Sequence, residues 1–153
     1  MPSGNSLAVE LLQRLAAVSG DANGAGRAAF VLSSLADTMA RHPLAFGHLL
    51  GAAEFEAHGA VSVAIVGHTG APDFQQLSRT VAARYVPSLV LAGGSQGPPA
   101  LLEGKSAAQG RACAYVCRGF TCDAPTADTA QLAAQLARAT GSPARGSWPA
   151  PSG

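Results

Sequence analysis

Three cysteines fall within ten positions, Cys113, Cys117 and Cys122, in the stretch "RACAYVCRGFTCDAP". Thiols this close can form a redox couple, hold a metal, or serve as small apolar residues in a strand and its turn. A thioredoxin-type couple needs two residues between its cysteines and a helix N-terminus that lowers the first thiol's pKa. Cys117 and Cys122 have four between them. A structural zinc site needs four ligands, usually as two close pairs, and the histidines at 42, 48, 58 and 68 stand far off in sequence. The reading is therefore no metal, with packing in a strand preferred and thiol chemistry the main alternative. In a strand, Cys113, Tyr115 and Cys117 share one face while Ala114 and Val116 share the other. Gly119 can take backbone angles closed to other residues. It lets the chain double back and brings the α-carbons of Cys117 and Cys122 toward the roughly 4.4–6.8 Å that a disulfide takes. The expectation is a close pair held as a dithiol in a reducing compartment and closing on oxidation. Cys113, one strand repeat earlier, is expected to remain a buried free thiol.

The histidines and carboxylates give less. His42 and His58 sit at helix boundaries, where a partial positive charge is favourable. His48, between Gly47 and Leu49 on a largely apolar helix, is the histidine best placed to face a cavity. Glu10 is expected on the solvent side of its helix, and Glu54 and Glu56 at the exposed end of another. The letters of a Gly-x-Ser-x-Gly string occur at Gly93–Gly97, but they open a glycine- and proline-containing connection rather than a helix, so no nucleophile elbow is read, and no Walker-type phosphate loop occurs. "VGHTGAPD" reads as a plain strand-to-helix turn.

The elements that must position these residues follow from periodicity. Leu7, Leu11, Leu15 and Val18 recur at helical spacing, with Leu12 and Ala8 widening the stripe and Asn5 or Ser6 as the cap. A second helix spans about Gly26 to Arg41, with Ala28, Val31, Leu32, Leu35 and Met39 on one face. His42-Pro43 ends it and opens a third, carrying Phe46, Leu49, Leu50 and Ala53 inward. "VSVAIVG" is a buried strand, and Pro72-Asp73 open a helix bearing Phe74, Leu77, Val81 and Tyr85. "PSLVLAGG" and "ACAYVC" are two further strands, and a last helix covers about Ala127 to Ala139. The fold class is thus mixed α and β: a helical segment at 1–58, a small three-strand β-α-β-β-α segment at 59–139, and a Pro/Gly/Ser-rich disordered tail at 140–153.

Composition limits the function classes. The 153 residues are 48% hydrophobic but only 5% aromatic, and 12% are charged, about half the usual share. A net charge of +1 and a single lysine, Lys105, supply no footprint for nucleic acid or an anionic membrane. No run approaches the roughly 18 apolar residues of a spanning helix, and no cationic leader precedes the first helix. With an odd number of cysteines, these features point to a cytoplasmic chain with reduced thiols.

Four segments, "PSGNSLAVELLQRLAAVSGD", "RHPLAFGHLLGAAEF", "VAIVG" and above all "AYVCRGFTCDAPTAD", together resemble the C-terminal end of a known family. It is the thioredoxin-domain-containing, spermatogenesis-associated family. Its members are several-fold longer, with an N-terminal thioredoxin-like domain followed by an (α/α)6 toroid similar to six-hairpin glycosidases and N-acylglucosamine 2-epimerases. The resemblance runs from Pro2 to about Leu136. It implies that residues 1–58 are the last helices of a toroid, and that Cys117 and Cys122 match the family's C-terminal pair rather than its thioredoxin site. It also implies that Asn5 and Ser6, with His48, border a sugar-sized cavity whose opposite wall this chain lacks. The chain alone is then expected to be non-catalytic and to need no cofactor. A sugar ligand is expected only in a full-length context. Its apolar helix faces predict self-association or a partner polypeptide, either as the end of a carbohydrate-active-like protein or as a module completing a toroid supplied by another chain. A thiol protein using Cys117 and Cys122 is the remaining alternative.

Overall fold

The computed structural model describes residues 2–95, 99–119 and 121–140. Helix α1 spans Gly4–Ser19, α2 spans Ala22–Arg41 and α3 spans Gly47–His58, with a 3₁₀ turn at Pro43–Phe46. The start of α1 is capped by Ser3, whose Oγ accepts from the Ser6 backbone N–H, so the cap lies ahead of both residues the sequence suggested. Its end is a left-handed Gly20 at φ 75°, a conformation that costs glycine little and stops the helix. Asp21 then caps α2 through the Asn23 N–H, starting that helix four residues earlier than periodicity indicates. With only Gly20 and Asp21 between them, α1 and α2 fold back on each other, and α3 packs on α1 as well. Val9, Ala28, Leu32, Met39, Leu49 and Ala52 form their shared core.

The remainder is a four-stranded mixed sheet of order β2-β1-β3-β4. Strand β1 (Val61–Val66) runs parallel to β2 (Leu89–Gly94) through the crossover helix α4 (Pro72–Ala82). It runs antiparallel to β3 (Cys113–Arg118), with Val63 opposite Val116. The fourth strand, β4 (Thr121–Cys122), pairs with β3 and is a correction to the three-strand expectation. Two residues are too few to show the alternation by which a strand is recognised.

Both faces of the sheet are covered. On one, Val61, Val63, Ile65, Ala114 and Val116 meet Phe74, Leu77 and Val81 of α4 and Leu132 and Leu136 of α5 (Thr129–Thr140). On the other, Ala64, Val66 and Ala92 meet Leu102 from a 3₁₀ turn at Ala100–Leu102, with Tyr115 beside them. Two glycines are required by close approach. A Cβ on Gly67 would lie 2.7 Å from the Ala112 side chain, and one on Gly93 would lie 2.8 Å from the Phe74 ring. Tyr85, expected on the buried face of α4, lies past its end and is exposed. Thr140 belongs to α5; the rest of the tail expected to be disordered, 141–153, lies outside the described residues.

The burial of α1 reverses the expectation for three of its leucines, while Leu12 packs inward as expected. Its buried residues are Ser6, Val9 and Gln13, whereas Leu7, Leu11 and Leu15 are 51%, 58% and 54% exposed. Glu10, expected in solvent, is only 34% exposed at its side chain. The leucine stripe is real, but no part of the described chain covers it. Leu50 of α3, expected inward, is also exposed.

Candidate functional site

The rotation of α1 brings Glu10, Gln13 and Arg14 to the seam between the helices and the sheet. A cleft of about 690 Å³ opens there, walled by α1 and α3 on one side and by the Tyr85–Ser88 segment, Arg118 and the end of α5 on the other. That volume lies in the range of small-molecule sites.

Glu10 is the hub. Its Oε1 accepts from Arg14 Nε at 2.8 Å, one turn along the same helix. Its Oε2 lies 3.0 Å from His48 Nε2 on the first turn of α3. The guanidinium beside it lowers the Glu10 carboxyl below its usual value; partial burial opposes this, and His48 adds to the lowering. Arg14 is fixed in turn: Nη1 donates to the Leu89 carbonyl at 2.9 Å and Nη2 to the Pro87 carbonyl at 3.2 Å. The guanidinium also lies over the Phe55 ring, 5.6 Å from its centre, a geometry attractive to a cation. One side chain thus joins α1, α3 and the approach to β2.

The Glu10 carboxylate orients the His48 ring through Nε2, and Nδ1 makes no hydrogen bond to any described residue. Behind it, Gln13 is buried and donates through Nε2 to the Ala52 carbonyl at 2.9 Å and to Glu56 Oε2 at 3.0 Å. Its Oε1 has no partner.

Of the cavity residues named from sequence, His48 lines this cleft and the other two do not. Asn5 is exposed on the first turn of α1. Ser6 is buried, its hydroxyl donating to the Ser3 carbonyl at 2.8 Å. Sequence reasoning missed Glu10, Gln13 and Arg14. The available signal was their spacing, since positions 6, 9, 10 and 13 share a helix face opposite 7, 11 and 15.

The second constellation is the hairpin. Cys117 and Cys122 sit directly opposite each other on β3 and β4. The next pair inward is tied by the Asp123 N–H to the Val116 carbonyl at 2.9 Å, which leaves the cysteines in the closer of the two antiparallel pair types. Their α-carbons are 3.9 Å apart and their sulfurs are bonded. The sequence placed the pair together but as a dithiol; the structure carries it closed, with a shorter α-carbon spacing than expected. Gly119, at φ 59°, makes the reversal. Cys113 is a buried free thiol, and burial raises its pKa, which keeps it protonated and unreactive. Among the described residues no group of three or more His, Cys, Asp or Glu converges as a metal site, and no helix is long and apolar enough to cross a membrane. Compared with family models, curated proteins and solved structures, the chain matches none.

Proposed function

We propose that this chain is a non-catalytic docking segment, the end of a larger α/α-helical protein of the thioredoxin-domain-containing, carbohydrate-active-like kind that its sequence resembles. The carrying observation is the outer face of α1. Leu7, Leu11 and Leu15 repeat every four residues and are each more than half exposed. Exposed Ala8 widens this face, which Arg14 borders on the cleft side. Three half-exposed leucines in one row form a contiguous apolar strip along the helix, and a second helix laid alongside would cover it. Helices of the parent toroid, or of a separate chain supplying it, are the proposed occupants.

The cleft supports the same reading. Among the described residues it holds an oriented imidazole but no nucleophile hydrogen-bonded to it, which supports a binding surface rather than a catalytic centre. A sugar-sized ligand would gain enclosure only from added helices. The isolated chain should bind an apolar reporter dye through α1 and show no glycosidase, sugar-epimerase or disulfide-reductase turnover. Dye binding that survives Leu11→Glu, or turnover abolished by His48→Gln, would overturn the proposal.

A further inference from the structure

The open edge of the sheet carries a hydrogen-bonding pattern that the docking reading does not use. β2 is the outer strand beside β1. In a parallel pair, alternate residues of a strand bond to the neighbour and those between them point away. The Val61 N–H donates to the Ser88 carbonyl and the Gly67 N–H to the Gly94 carbonyl, so Ser88, Val90, Ala92 and Gly94 face β1. Leu89, Leu91 and Gly93 therefore turn their N–H and C=O groups to the edge. Leu89 is already satisfied there: its N–H donates to the Val86 carbonyl, and its own carbonyl accepts from Arg14 Nη1. The N–H and C=O groups of Leu91 and Gly93 bond to no described residue. The Leu91 side chain is 45% exposed, and on the same face Gly93, which packs under the Phe74 ring, offers no side chain beside it.

We propose that a second copy of this chain docks on this edge, β2 against β2 about a two-fold axis that sets Ala92 opposite its own counterpart. Antiparallel pairing in that register places Leu91 opposite Gly93 of the second copy, and each such pair exchanges both of its main-chain hydrogen bonds. Every free group of Leu91 and Gly93 in both copies is then used. The register that sets Leu91 opposite its own counterpart fails, because it pairs Gly93 with Leu89, whose N–H and carbonyl are taken. The side chains agree with the hydrogen bonds, since each Leu91 lies beside a glycine with no Cβ to oppose it. A contact made of the same patch on both copies closes as a dimer. The inference rests on the docking reading, because an edge this short buries far less than the roughly 800 Å² per partner of a stable interface. Arg14, which borders the leucine row of α1, reaches the Leu89 carbonyl on this edge. Row and edge therefore adjoin: α1 supplies the apolar area, and the β2 edge sets the register.

The test follows the full chain by sedimentation and by residue-resolved amide hydrogen exchange as its concentration rises. The Leu91 and Gly93 amides should exchange about tenfold more slowly in the associated state, while Val90 and Ala92, bonded to β1, stay protected throughout. Leu91→Pro removes an N–H that only the second copy uses, a change that an outer strand tolerates. It should weaken association about tenfold and leave the melting midpoint of the monomer nearly unchanged. Leu91→Lys keeps the backbone donor and places a charge on the edge, so it should weaken association in the same direction even where proline disturbs the fold. Association that is lost in Leu11→Glu but persists in both Leu91 variants, with the two amides unprotected, would overturn the pairing and leave the docking reading standing. A parent chain monomeric at every concentration would overturn both. Leu91 and Gly93 amides already slow in the monomer would assign the edge to residues of the same chain and overturn the pairing.

Discussion

The helical segment and the sheet segment of this protein solve burial differently. In the sheet segment, β1 is closed on both faces, and Val63, Ala64, Ile65 and Val66 are all at or below 1% exposure. In the helical segment, α1 turns a serine and a glutamine inward and its leucines out. Of the large apolar side chains left exposed, Leu7, Leu11, Leu15, Phe30, Leu44 and Leu50 belong to the helices, against Tyr85 and Leu91 elsewhere. A helix can present two usable faces, and only a partner's surface decides which one is buried. The sheet segment carries its own partners for both faces of β1; the helical segment supplies them for one side of α1.

The contrast can be broken most sharply in the sheet core. Leu77 is 1% exposed between α4 and the sheet, so Leu77→Ala should cost about 3 kcal/mol in urea unfolding. A cost under about 1 kcal/mol would show that this core is no better closed than the helices.

The buried polar contact of α1 comes next. Gln13→Met keeps the volume but leaves the Ala52 carbonyl and Glu56 without their donor. The expected cost is about 2 kcal/mol by the same measurement. An unchanged midpoint would mean that water replaces the amide and that the inner face of α1 is loosely held.

A smaller, pH-dependent effect sharpens the comparison at the joint between α4 and β3. Asp73 accepts from the Ala112 N–H at 2.7 Å and from the Phe74 N–H at 2.9 Å. These bonds hold its carboxyl below the usual value, the Ala112 bond being the larger cause. A carboxyl whose pKa is lower in the folded chain stabilises it above the unfolded value of about 3.9, and that contribution is lost as pH falls through the folded value. The melting-temperature gap between the parent chain and Asp73→Asn should therefore be widest near neutral pH and narrow steadily on acidification. A gap that stays constant from neutral pH to below the carboxylate range would contradict this. Glu10→Gln should narrow with the same sign, because Arg14 and His48 lower the Glu10 pKa in the folded chain.

The sheet segment was far more legible in the sequence than the site. "VSVAIVG" and "ACAYVC" are short β-branched or small-residue runs between turn signals, and they became β1 and β3 nearly to the residue. The α2 stripe of Ala28, Leu32 and Met39 became core for the same reason of period. For α1 the apolar stripe was legible but its destination was not, since the stripe itself contains nothing to say whether Leu11 or Gln13 meets a neighbour. The Glu10–His48 pair joins positions 38 residues apart, and Arg14 reaches carbonyls more than 70 residues on. Contacts of that range depend on packing that no local pattern encodes. The hairpin lies between these cases. Gly119 and the cysteine spacing showed the reversal, but β4 is too short to announce itself.

The measurement closest to the central claim is sedimentation paired with thermal melting for Leu7→Gln/Leu11→Gln/Leu15→Gln. If the outer face of α1 is a docking surface that this chain's own fold does not use, the parent chain self-associates as concentration rises and the triple variant remains monomeric. Their stabilities, obtained from melts at low concentration, should agree to within the roughly 0.5 kcal/mol per site expected of surface substitutions. A parent chain that is monomeric at every concentration, or a triple variant that loses several kcal/mol of stability, would contradict the account.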